Sequence, residues 1–136
     1  MPWNDYLTEL RNSPVHVVAH EAGDGNGTAG VVLHFSNGTT LDAFYWRLIA
    51  EGAVAFSSFD HNQRYGNARD FDAKKSLIER LNGTQCRCLE LDEETADLEV
   101  SFSSDMKLQV FSFTAYEIWR IRFPDGVEGY SNHILR

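Results

Sequence analysis

Apolar residues recur along this chain with two periods. Over residues 15–20, Val15, Val17 and Ala19 alternate with His16, Val18 and His20, the period-two signature of a half-buried strand. Strands are also expected over 31–35, 39–47, 84–91, 117–123 and 127–130, and the alternation is clean at Leu98, Val100 and Phe102 and at Leu108 and Val110. Residues 53–59 form a further strand after Glu51-Gly52. Turn residues punctuate these runs. Asn37-Gly38 predicts a tight hairpin between 31–35 and 39–47, because both residues accept positive φ. Ser103-Ser104-Asp105 and Pro124-Asp125-Gly126 read as further turns.

Two segments carry the longer, helical period. Behind a capping Asn4, residues 5–12 set Tyr6, Leu7 and Leu10 on one face, and Ser13-Pro14 ends the run. Behind Asp70 or Asp72, the apolar stripe Phe71, Leu77, Ile78 and Leu81 runs up to an Asn82-Gly83 stop.

The order of elements repeats. Thr28-Ala29 through Phe35-Ser36 lies above Thr95-Ala96 through Phe102-Ser103 at an offset of 67, which also carries Leu41 onto Leu108 and Phe44 onto Phe111. After six extra residues the offset is 73, and Trp46-Arg47-Leu48 falls on Trp119-Arg120-Ile121. An internal duplication over 4–66 and 70–136 within a single domain, 1–136, is the expectation. The predicted class is α+β: a mainly antiparallel β-sheet of two pseudo-symmetric halves, each one short helix followed by four or five strands. In this pattern Asp105 stands where Gly38 does, so the two turns are expected to differ.

Composition narrows the partners. In 136 residues, 12 basic side chains face 20 acidic ones, for a net charge of −8. Nucleic acid and anionic membrane both demand concentrated Lys and Arg, so neither is expected. No stretch approaches the ~20 apolar residues of a membrane span. The opening residues show no basic-then-apolar leader, and the only cysteines, Cys86 and Cys88, share one strand face with Cα atoms roughly 6.5–7 Å apart, at the far edge of disulfide geometry. Free thiols point to a cytoplasmic setting.

Four groups of residues invite chemistry. The Gly-rich run at 23–27 leads into a strand instead of a helix and contains Asp24, so it reads as a connection, not a phosphate cradle. His16, His20 and His34 read as exposed strand positions; no third convergent ligand marks a metal site, and neither metal nor cofactor is expected. Arg47 and Arg120, each after a Trp, and His61 and His133, related by the repeat, are candidates for a ligand cleft between the halves. Glu90, Asp92, Glu93, Glu94, Asp97 and Glu99 crowd into ten residues without a Lys or Arg, and they are candidates for docking a basic protein. No Gly-x-Ser-x-Gly elbow and no catalytic context at Cys86 appear, so no enzyme is expected.

Leu33, Phe35, Ser36, Gly38 and Leu41, with the later Tyr116-Glu117-Ile118-Trp119 and the Asp125-Gly126 turn, resemble the hairpin pattern of small uncharacterised bacterial repeated-hairpin proteins. Some of these are regarded as immunity proteins of toxin systems. The resemblance implies repeated antiparallel hairpins and a protein partner, and it carries no catalytic residues. The leading expectation is a cytoplasmic immunity-type inhibitor that occludes a basic toxin through its acidic surface. A ligand-binding or enzymatic cleft between the halves and a homo-oligomeric scaffold are the alternatives.

Overall fold

The computed structural model describes residues 3–21, 29–112 and 118–131. Helix α1 spans Trp3–Thr8 and α2 spans Ala73–Leu81. The strands are β1 Ser13–Ala19, β2 Val31–Phe35, β3 Thr40–Ala43, β4 Trp46–Ala50, β5 Ala53–Ser57, β6 Gln85–Leu91, β7 Leu98–Phe102, β8 Met106–Val110, β9 Trp119–Arg122 and β10 Glu128–Tyr130. They form one ten-stranded sheet in the order β10-β9-β3-β2-β1-β6-β7-β8-β4-β5, every neighbouring pair antiparallel. An α+β architecture dominated by an antiparallel sheet is therefore what the chain adopts. The expected 23–27 connection and His133 lie outside the described residues.

The strand expected over 39–47 is two strands, and parity explains the break. Leu41 and Ala43 point inward at odd positions, whereas Trp46 and Leu48 point inward at even ones. A period-two strand cannot bury both Ala43 and Trp46, three residues apart, so the chain must leave the ladder between them. It does so at Phe44 and Tyr45. Beyond them, β4–β5 does not stay beside β3 but pairs with β8, from Trp46↔Val110 to Ala50↔Met106. The later hairpin β9–β10 makes the opposite journey and pairs with β3, from Thr40↔Arg122 to Ala43↔Trp119. Each three-strand meander thus receives the hairpin that belongs, in sequence, to the other.

Two five-stranded wings result, joined at β1–β6 through Ser13↔Cys86 and Pro14↔Gln85. Their inner side chains share one core that includes Leu33, Leu41 and Ile121 from one wing and Leu48, Val100 and Leu108 from the other. The tryptophans tie the wings together. Trp46 Nε1 donates to Ala29 O at 2.8 Å, ahead of β2, and Trp119 Nε1 donates to Ala96 O at 2.7 Å, ahead of β7. Ser58 Oγ accepts from Trp46 N at 3.0 Å, and Ser131 Oγ accepts from Ile118 N at 2.6 Å and Trp119 N at 3.5 Å.

The helices close the ends of the core. Helix α2 packs on β1, with its N-terminus capped by Asp72, which accepts from Lys75 N at 3.0 Å. Asn82, just past it, accepts from Val17 N at 2.6 Å. Helix α1 ends at Thr8, short of the expected 12, because Leu10 N and Arg11 N bond three residues back and Asn12 turns left-handed at φ 60. It covers β9 and the turn before β10: Trp3 packs against Trp119 and Phe123, and Tyr6 lies 4.4 Å from Phe123. The Asp105 turn resembles the Gly38 turn after all, since both residues adopt positive φ, 59 and 98. Among the described residues no helix is long and apolar enough to cross a membrane.

Candidate functional site

Alternation leaves each wing with a polar outer face. On the β6–β7–β8–β4 wing, register aligns one outward row across four strands: Glu90↔Glu99, Glu99↔Gln109 and Gln109↔Arg47. The inward neighbours Leu89, Val100, Leu108 and Leu48 are buried, which fixes the direction of the row. A hollow of about 400 Å³ opens over it, lined by Arg47, Glu90, Asp92, Asp97, Glu99 and Gln109, with Leu91, Leu98 and Phe111 as its apolar floor. A second hollow of about 720 Å³ shares Glu99 and Gln109 and extends over Ser101, Lys107, Ile49 and Arg87. The two hollows adjoin at Glu99 and Gln109 on the outer face of this wing.

The acidic residues do not play equal parts. Asp92 folds its own turn, accepting from Glu94 N at 2.9 Å and Thr95 N at 3.1 Å. Asp97 accepts from Ser112 N at 2.7 Å and so ties the turn to the end of β8. Glu93 and Glu94 stand exposed on the turn itself. Glu90 and Glu99 are direct cross-strand partners, an arrangement that is destabilising for like charges. Lys107 lies 3.8 Å from Glu99, but both side chains are largely solvated, so the pair offsets little.

Arg47 lines the first hollow. Its Nε donates to Gln109 Oε1 at 2.9 Å, its Nη2 donates to the same oxygen, and its Cζ sits 5.1 Å from the Phe111 ring centroid. Held by Gln109 and the Phe111 ring, the guanidinium lines the acidic hollow. Arg120 lies on the other wing, bonded to Asp42 Oδ2 at 3.0 Å and 3.9 Å from Glu128. His61 is buried, its Nδ1 accepting from Ala73 N at 3.1 Å, where it pins the start of α2. Arg47, Arg120 and His61 therefore occupy three neighbourhoods, each with its own internal partners.

The remaining titratable side chains are accounted for structurally. His16 and His34 face each other across β1 and β2 in exposed positions, and His20 lies 3.7 Å from Asp42 and packs on Phe44. Among the described residues no group of three or more His, Cys, Asp and Glu is placed to hold a metal ion. Both cysteines are free; Cys86 is buried, and loss of water pushes its thiol up to about 12, with Cys88 adding to the shift.

Sequence reasoning missed Gln109, Lys107 and Phe111, the neutral and basic parts of the site. Their signal was the outward parity of 107, 109 and 111 against inward Leu108 and Val110, combined with the register of the β7–β8 hairpin; only the alignment with Arg47 needs the exchanged hairpin. Comparison with protein-family models, curated proteins and solved structures found no match.

Proposed function

We propose that this chain is a non-enzymatic protein-binding domain that docks a basic protein, of the kind a toxin domain would present, in the concave outer face of the β6–β7–β8–β4 wing. The observation that carries this reading is Glu90 directly opposite Glu99 on adjacent strands, at the edge of a hollow also lined by Asp92 and Asp97. A fold gains nothing from two carboxylates so placed. A partner that inserts Lys or Arg side chains between them gains attraction, faster encounter and selectivity. Occlusion is the mode of action that fits, since a concave sheet face can cover a convex basic surface without any chemistry of its own. Two free thiols support a reducing, cytoplasmic setting.

The finer architecture belongs to the same proposal. The chain is read as a duplication whose halves exchange their last hairpins about a pseudo-twofold axis. Supporting it, the strand order is unchanged when β1–β5 and β6–β10 swap names and the order is read backwards. The Trp46–Ala29 and Trp119–Ala96 bonds fall on residues related by the 73 and 67 offsets, and Ser58 and Ser131 are likewise 73 apart.

The test is capture from a lysate of the native host with wild-type protein and with the variant Glu90→Gln/Asp92→Asn/Glu93→Gln/Glu94→Gln. Asn at 92 preserves the turn-capping acceptor. A basic protein retained by the wild type, released by salt and lost by the variant is expected. A partner held equally well by the variant would contradict the assignment.

A further inference from the structure

The cysteines expected on one face of a strand point to opposite sides of β6. Cys86 pairs with Phe102 and is buried, whereas Cys88 pairs with Ser101 and is half-buried beside Glu90, to which its Sγ donates at 3.7 Å. Arg87, between them, has no Cα partner on β7, so it is the extra residue of a β-bulge. Bulges re-aim side chains, and this one brings Arg87 and Cys88 to a hollow near the β1–β6 seam.

That hollow measures about 470 Å³ and is lined by Arg11, Asn12, Gln85, Arg87, Cys88 and Ser103. Its wall holds two guanidiniums, two amides, a hydroxyl and a thiol, and no carboxylate. The hollows over the acidic row both contain carboxylates, and the chain as a whole carries 20 acidic residues against 12 basic ones. Among the described residues, Arg47, Arg64, Arg120 and Arg122 each bond an acceptor side chain. The Arg11 and Arg87 guanidiniums bond none. Two uncompensated positive charges therefore face one hollow.

The frame around them is set before any ligand arrives. Arg11 N donates to Thr8 O and Ser13 N to Leu10 O, each at 3.2 Å, and Asn12 between them is left-handed at φ 60. Across the hollow, Ser103 N donates to Gln85 O at 2.9 Å, and Ser103 Oγ accepts from Gln85 N at 3.3 Å. A hydroxyl that accepts there keeps its own proton to donate. Binding would spend little on ordering the backbone.

We propose that this hollow is an anion site, which takes the phosphate group of a small phosphorylated molecule between Arg11 and Arg87. Each guanidinium presents a fork of N–H donors that matches two phosphate oxygens, and Ser103, Gln85 and Asn12 can donate to the rest of the ligand. The volume lies within the roughly 300–1,000 Å³ of small-molecule sites. An extended polyanion is disfavoured, because Glu90 lines the adjoining hollow that shares Arg11 and Cys88, and the chain carries a net charge of −8. None of the acidic-row residues lines the site, so it does not rest on the docking reading.

The test is a titration of the full chain at constant ionic strength, followed by amide chemical shifts, with inorganic phosphate, glycerol phosphate and a phosphoserine peptide in separate arms. Phosphate and glycerol phosphate are expected to bind saturably, with shifts centred on 11–12, 85–88 and 103. Arg11→Gln and Arg87→Gln should each weaken both ligands at least about tenfold, the effect of losing a charged donor to an anion. Arg80→Gln, on the exposed side of α2, should leave them unchanged. Positions 11 and 87 are exposed, so both variants should keep the wild-type melting curve in chloride. Absence of saturation, shifts centred elsewhere, unchanged affinity in either variant, or an equal loss in Arg80→Gln would each overturn the proposal. So would tighter binding of the phosphoserine peptide than of glycerol phosphate, because the anion would then belong to a protein partner.

Discussion

Glu90 faces a like charge across the sheet and accepts a contact from Cys88 Sγ at 3.7 Å. Its Cα partner is Glu99, and a cross-strand pair of like charges costs a fraction of a kcal/mol up to about 1 kcal/mol. Glu90→Gln should therefore raise the unfolding free energy by a few tenths to about 1 kcal/mol in a denaturant titration; under the proposed docking role it should also weaken capture of a basic partner. Tyr6 and Asp125 show the opposite logic. Tyr6 OH donates to Asp125 Oδ2 at 2.8 Å, and Asp125 is held below the usual carboxylate range first by the Val127 N–H and then by Tyr6. A depressed folded-state pKa adds stability that is present above the unfolded value and lost as pH falls through the folded one. Tyr6→Phe should move the Asp125 titration upward, read by carboxyl carbon NMR, and shift the acid limb of stability to higher pH. The thiols divide as burial dictates: alkylation of the native protein should modify Cys88 and spare Cys86 until the chain unfolds.

At the scale of elements, the alternation of apolar residues and the turn dipeptides located most strands, because each burial decision on a strand is local. Helix α2 was equally legible, as Asp72 caps it and Gly83 follows it at φ 86. Pairing was not legible. Nothing between Ala43 and Trp46 says which strand β4 will meet, and only the parity slip there announces that it must leave β3. The candidate site shared that fate: the acidic run was visible as composition, but Gln109 joins it through the β7–β8 ladder and Arg47 only through the β4–β8 ladder. Asp72→Ala should lower stability by about 1 kcal/mol in thermal or denaturant unfolding, the ordinary cost of a lost N-cap.

The whole molecule depends on two braces between its wings. Each buried indole N–H reaches a carbonyl of the opposite wing, and removing such a donor strands a buried acceptor at a cost of about 1–3 kcal/mol. Trp46→Phe and Trp119→Phe should therefore destabilise by similar amounts in denaturant titrations, each with an added contribution from lost packing. A large cost at one and none at the other would argue against equivalent roles in two related halves. The β4–β8 ladder, not the braces, sets Arg47 beside the acidic row. The most direct test of the binding account is the ionic-strength dependence of association between this chain and its captured partner, measured by stopped flow for wild type and for Glu90→Gln/Asp92→Asn/Glu93→Gln/Glu94→Gln. An acidic docking face predicts a wild-type rate that falls steeply with salt and a variant that is slower at low salt and nearly flat. Equal rates with equal salt slopes would contradict it.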